Sequence, residues 1–315
     1  MTESLTTDLS RIVGSFVIGR NTAFTYKGRA FNLNQVGREL NVRYVLQGSV
    51  QRRGDRLRIN IQLADTVTGA QLWAERFDKL IANLFETQDE IISRLANQLE
   101  AKLFDEEAKR SERSQDPNSM GLYFQGRALL NRGWTPDYLE QARASFEHAL
   151  ALDPKNIDAM VGVAIVDLAF GSTHLSDNLT VYHAKSEAAI TKVLSLAPNH
   201  ALAHLVLGAA LIATNRAAEG IAECERALAI DHNLAEAHAQ IGLAKQSLGR
   251  AAETLAHVNE AFRLSPRDSF AYRWLMFSGT SKLALGKDAE AVYGSAVVSK
   301  LTGTCRLRIS ISPLH

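Results

Sequence analysis

Apolar side chains recur along this chain with two spacings, and the change comes near residue 80. Before it the clearest signal has a period of two. Leu57, Ile59, Ile61 and Leu63 alternate with Arg56, Arg58, Asn60 and Gln62, which gives a strand one apolar face and one wet face. Residues 44–51 (YVLQGSVQ) are rich in strand formers, and Arg53-Gly54-Asp55 between the two runs suits a hairpin turn. A second turn at residues 66–69 leads to a third strand at 71–77. The pattern predicts an antiparallel meander with helices on one face. Upstream, Leu5, Leu9 and Ile12 recur at helical spacing, and residues 15–20 (SFVIGR) read as a short buried strand. Residues 32–41 read as a short helix capped by Asn32, with Leu33, Val36, Gly37 and Leu40 on one face.

After residue 80 the period becomes helical. Leu84, Ile91, Ile92, Leu95, Leu99 and Leu103 form one stripe. Residues 105–118 (DEEAKRSERSQDPN) are charged and end near a proline, so they predict the end of that helix and a connector. Self-similarity follows. Pro154, Pro198, His232 and Pro266 stand at intervals of 44, 34 and 34 residues, as do Ala149, Val193, Ala227 and Ala261, and Ala159, Ala203, Ala237 and Ala271. Three columns with one period of 34 are the signature of the tetratricopeptide helix–turn–helix. Small residues such as Gly208, Ala227 and Gly242 fall where two helices must approach closely. Ten extra residues in the first interval fall at about 171–181, a polar insertion between two helices.

The expected fold is therefore an α+β first domain over residues 1–104, with a small mixed or antiparallel sheet and helices, then an all-α superhelix. Repeats are expected at 119–156, 157–200, 201–234, 235–268 and 269–300, followed by an irregular tail at 301–315.

Composition narrows the partners. Net charge is +1, so no global field draws the chain to nucleic acid or to an anionic membrane. The two cysteines, Cys224 and Cys305, cannot build a disulfide framework or a CxxC site. The opening MTESLTTDLSR lacks a secretory apolar core, and the longest charge-poor stretch, 199–215, is shorter than the roughly 20 residues of a membrane span. A cytoplasmic location is expected, with the periplasmic side of a membrane-anchored parent left open.

The segment VGRELNVRYVLQGSVQRRGDRLRINIQLADTVTGAQLWAERFD (residues 36–78) resembles the bacterial TolB-like domain, as do TDLSR (7–11) and FVIGRNTAFTYKGRA (16–30). The resemblance spans residues 1–104. It implies a multidomain regulator in which this domain stands between a signalling domain and tetratricopeptide repeats. The amino-terminal partner in that family is often a class III adenylate or guanylate cyclase domain, or a winged-helix DNA-binding domain. The family's domain begins with an earlier apolar strand, so the resemblance implies a first domain incomplete at its front. An exposed sheet edge would then favour self-association. Loss of repeat character after Val298 implies truncation or a frame change at the back.

Candidate chemistry is sparse. No phosphate loop with lysine, HExxH or GxSxG is present. The expectation is therefore no catalytic residue, no metal and no cofactor. His200 and His204 stand four apart on a helix but lack a third ligand, and His204 and His238 are one repeat position met twice. Arg52, Arg53, Arg56 and Arg58 could meet phosphate, yet more often form the solvated side of a strand. Cys224 shares a column with Phe146 and Val258 and reads as core, and Trp73 and Phe77 read as core of the sheet. The best site is the groove lined by the first helix of each repeat. Its candidates are Val161, Ile165 and Leu168, then Leu202, Leu205, Ala209 and Ile212, then Glu236, Ala239, Leu243 and Gln246. That lining suits a protein partner presenting an amphipathic helix or apolar peptide, although several of these side chains could instead pack between repeats. The leading expectation is a non-catalytic scaffold. The detached regulatory part of a nucleotide cyclase is the alternative, and the same part of a winged-helix regulator the third.

Overall fold

A computed structural model describes residues 2–15, 17–26, 32–80, 84–173, 178–288 and 290–291. The chain forms two compact units, Met1–Lys102 and Leu103–His315. Their boundary falls inside one helix, α4 (Leu84–Glu112).

In the first unit α1 (Thr2–Leu9), α2 (Arg20–Phe24) and α3 (Leu33–Leu40) precede strands β1 (Tyr44–Arg53), β2 (Arg56–Asp65) and β3 (Gln71–Leu80). The strands form an antiparallel sheet in the order β1-β2-β3. Gly54, at φ 63°, closes the first hairpin, where a side chain would be strained. On β2 the odd residues Ile59, Ile61 and Leu63 are buried, and Ile59 stands opposite buried Phe77. The second turn is fixed by side chains. Asp65 accepts hydrogen bonds from the amides of Val67 (2.7 Å) and Thr68 (3.0 Å) and pairs with Arg43 at 2.9 Å. Burial alone would raise the Asp65 carboxyl, but those amides and Arg43 hold it below its ordinary value. Thr66 Oγ1 donates to the carbonyl of Val42 or Arg43. A Cβ on Gly37 would stand 2.4 Å from that hydroxyl oxygen, so α3 approaches the turn only because residue 37 is glycine.

Asn32 caps α3 as expected, accepting from the amides of Asn34 and Gln35. The strand expected at 15–20 is not there: residues 15 and 17–19 belong to no strand, Arg20 opens α2, and Phe16 lies outside the described residues. A run that finds no ladder leaves its backbone groups unpaired, and sequence alone does not reveal whether a ladder is available.

In the second unit, Phe104 at the end of α4 is buried, 5.5 Å from Phe124 and 6.1 Å from Tyr123 between ring centres. Helix pairs follow: α5 (Ser119–Arg132) with α6 (Pro136–Leu152), α7 (Ile157–Ser172) with α8 (Leu179–Leu196), α9 (Ala201–Ala213) with α10 (Ala217–Ile230), and α11 (Ala235–Ser247) with α12 (Ala251–Leu264). Helix α13 (Ala271–Ala284) begins a fifth. Three first helices start at side-chain caps: Asn118 accepts from Gly121 N, Asn156 from Ala159 N, and His200 Nδ1 from Ala203 N. The expected insertion at 171–181 goes mostly into longer helices. Helices α7 and α8 have 16 and 18 residues, against 13 and 14 in α9 and α10.

Each pair closes on a backbone-sized gap. The Phe146 ring lies between Gly126 of α5 and Gly162 of α7, where added Cβ atoms would stand 2.5 and 2.6 Å from it. A fourth column, Ala142, Ser186, Gly220 and Thr254, marks the crossing of each pair. Ser186 Oγ donates to the carbonyl of Ala164 and Thr254 Oγ1 to that of Gly242, each at 2.8 Å and buried. A Cβ on Gly220 would stand 2.7 Å from the Gly208 carbonyl oxygen. At Gly242 the gap is wider, with the nearest atom 3.3 Å from an added Cβ.

Replacing Phe146 by alanine, which leaves a void between two glycines, should cost about 3–5 kcal/mol. Leu152→Ala, on an exposed position of the same helix, should stay within ~0.5 kcal/mol. Urea unfolding of the two variants checks the contrast.

Candidate partner-binding face of the repeat array

First helices neighbour one another directly: α5 meets α7, α7 meets α9, α9 meets α11, and α11 meets α13. No comparable neighbouring joins the second helices α6, α8, α10 and α12 among the described residues. A row packed more closely along one side curves towards it, so the first helices hold the inner face.

The structure separates the sequence candidates into two groups. Val161, Leu168 and Ala209 are buried in one apolar cluster, Leu205 and Ile212 in the next, and Ala239 in a third. These six side chains hold helices together. Ile165, Leu202 and Leu243 are half-buried, packed on the rims of the same clusters. Leu202 touches two clusters and so bridges adjacent pairs.

Glu236 and Gln246 are half-buried and engaged. Glu236 Oε2 accepts from the indole N–H of buried Trp274 at 2.7 Å, and Oε1 from Gln240 at 2.7 Å, with Arg273 at 3.4 Å. Gln246 Oε1 accepts from Thr280 at 3.1 Å and Ser281 at 3.3 Å. Sequence reasoning missed Gln240, Arg273 and Trp274, which lie four to 38 residues from Glu236. Gln240 is a helical neighbour and could have been found by its spacing of four. The other two carry no local signal.

The histidines divide in the same way. His200 Nε2 lies 3.0 Å from Asp158 while its Nδ1 caps α9. His204 Nδ1 meets Glu223 at 2.7 Å and its Nε2 the Pro198 carbonyl at 2.8 Å. One repeat later the equivalent positions hold His238 and His257, with Nδ1 atoms 3.5 Å apart. No group of three His, Cys, Asp or Glu that could hold a metal occurs among the described residues. Cys224 is buried, and burial pushes its thiol up, so it stays protonated. In the first unit Arg58 pairs with Asp78 at 2.8 Å and Arg52 donates to the Gly54 carbonyl, both on exposed strand ends. Phe77 is buried and Trp73 half-buried. No described helix is long and apolar enough to cross a membrane.

A three-stranded antiparallel sheet followed by helix pairs of 34-residue period is the architecture of a tetratricopeptide-type repeat protein with a small α+β unit before it. No family model matches the chain. The sequence is similar to "Putative adenylate cyclase 3" of Rhizobium meliloti (strain 1021), 36% identical over 199 residues, which cover 62% of this chain and 32% of that protein. The chain thus spans about a third of the length of the relative it matches. Among solved structures it is similar to a thermophilic tetratricopeptide protein of Thermus thermophilus (TM-score 0.44, 18% identity, 65% of this chain and 94% of that one). It is also similar to a tetratricopeptide repeat protein of Parabacteroides merdae ATCC 43184 (TM-score 0.41, 17% identity, 70% and 76%).

One buried and two half-buried histidines set a pH dependence. Burial holds the His183, His238 and His257 imidazoles below the ordinary value of 6.5. His257 adds to the effect at His238, and Lys245 at His257, against opposing Glu260. The folded state then binds fewer protons than the unfolded chain once pH falls below 6.5, so stability present above that value is lost on acidification. The urea midpoint should fall as pH drops through 6.5, and His238→Gln should flatten part of the slope.

Proposed function

We propose that this chain is a non-catalytic scaffold that holds a protein or peptide partner on the inner face of its repeat array. The observation that supports the reading is the run of half-buried apolar residues Ile165, Leu202 and Leu243 on successive first helices, each packed on a buried cluster. Such a rim accepts the apolar stripe of an amphipathic helix, while Glu236 and Gln246 offer polar edges that fix its register. Six of the eleven sequence candidates act as the floor that keeps the rim in place. The first unit, in this reading, is a TolB-like domain that positions the array within a larger regulator. Self-association would use an outer strand of its three-stranded sheet, since among the described residues β1 and β3 each pair on one side only.

A second reading is favoured by the likeness to the cyclase-named Rhizobium protein. The chain would then be the regulatory part of a class III nucleotide cyclase, tied to cyclic-nucleotide signalling through the catalytic domain of the same protein. The genomic sequence upstream of the Met1 codon tests it: an in-frame cyclase domain supports it, and an unrelated gene removes it.

For the scaffold, peptide display against the full chain should recover amphipathic helices with apolar positions at helical spacing. Leu202→Gln and Leu243→Gln should weaken the recovered peptide about tenfold or more, ~1.4 kcal/mol, in fluorescence anisotropy. Leu152→Gln, on an exposed outer position, should bind as the unchanged chain does. Equal binding by all three variants overturns the inner face as the site.

A further inference from the structure

The loop after α5 and the start of α13 meet, although the residues concerned are 136 apart in the chain. Trp134 follows α5 and Phe270 caps α13, and their ring centres are 5.0 Å apart at 56°. Arg273, in the first turn of α13, places its guanidinium carbon 4.8 Å from the centre of the Trp134 ring and 6.0 Å from that of Phe277. The far side of Arg273 reaches Glu236 of α11 at 3.4 Å. The first helix of the first pair is thereby connected to those of the fourth and fifth pairs by one aromatic and ionic chain. Nothing in the 34-residue period calls for this, because the period encodes contacts between neighbouring pairs only.

The contact carries its own opposing term. The indole N–H of Trp134 is buried and has no hydrogen-bond partner. Withholding water from that donor costs an amount of the same order as the gains from ring stacking and from a guanidinium on the ring face. The cost offsets part of the gain, so the closed contact is favoured without being locked. Its position gives opening a consequence. Trp134 and Phe270 lie at the ends of α5 and α13, the first and last first helices among the described residues, so the contact bridges the described inner row from its first member to its fifth.

We propose that Trp134, Phe270 and Arg273 form a latch that joins the two ends of the inner row and narrows access to the inner face when closed. Partner binding to that face and closure of the latch are then linked, and whatever holds the rows apart exposes the Trp134 ring and its free N–H. The latch is a property of the chain alone and stands whichever partner the face takes.

The test uses the full chain with Cys305→Ser. Burial keeps Cys224 from reacting, so spin labels can be placed by Asp137→Cys and Ser269→Cys, both exposed positions beside the latch. Pulsed electron resonance should give a narrow distribution at short distance. Phe270→Ala should broaden it and shift it outward by several ångström, with circular dichroism unchanged. Arg273→Ala should do the same and should raise acrylamide quenching of the Trp134 emission several-fold, read as the difference from Trp134→Phe. A broad distribution in the unmutated latch overturns the proposal, and so does a narrow one that both variants leave in place. If a variant fails to fold, the distribution in the unmutated latch still decides the outcome.

Discussion

Two helices in each pair of the array meet through a gap that admits backbone but little else, and the rest of the second unit depends on how that gap is filled. Where the second helix brings a large ring, as at Phe146, the first helices on both sides supply glycine. Where it brings the small Cys224, the helices close until an added Cβ on Gly208 would stand 2.6 Å from the thiol sulfur and one on Gly220 2.7 Å from the Gly208 carbonyl oxygen. In the second and fourth pairs a buried hydroxyl, Ser186 or Thr254, spans the gap and satisfies a helical carbonyl. Interiors are packed closely enough that such exchanges of volume are felt directly. The four solutions differ in chemistry and in width, and each leaves the first helices neighbouring one another along the inner side, which sets their register.

That register decides what the inner face can offer. A side chain on a first helix either drops between helices and becomes floor, as Val161, Leu205 and Ala239 do, or stays at the rim, as Ile165, Leu202 and Leu243 do. The rim is apolar at its middle and polar towards α13, where Glu236 gathers the indole of Trp274, the amide of Gln240 and the guanidinium of Arg273. A carboxylate with three donors is held in one orientation, so the polar end of the face is preorganised rather than adaptable. The first unit reaches rigidity by another route. There the turn between β2 and β3 is held by Asp65, Thr66 and Arg43, and the glycine at residue 37 lets α3 come against it.

Much of this was legible in the sequence. The period of two in residues 56–63 placed β2 and its buried face, Asn32 announced the start of α3, and three columns at 34 residues announced the helix pairs. The column Ala142, Ser186, Gly220 and Thr254 was equally visible, and its small residues and hydroxyls mark the helix crossings. One expectation failed for a reason outside the segment itself. The apolar run at residues 15–20 reads as a strand only if a ladder receives it. That condition is set by neighbours distant in the chain.

Sequence by itself therefore determined most of the elements and their order, the Asn32 cap and the repeat length, because each of these follows from contacts a few residues apart or from spacing along one helix. Tertiary structure alone decided which apolar residues of a first helix are floor and which are rim, that Glu236 meets Trp274, and that Trp134 meets Phe270 and Arg273. A periodic pattern states which side of a helix avoids water. It does not state which other helix will cover that side, because burial belongs to the pair of surfaces and only one of them is local.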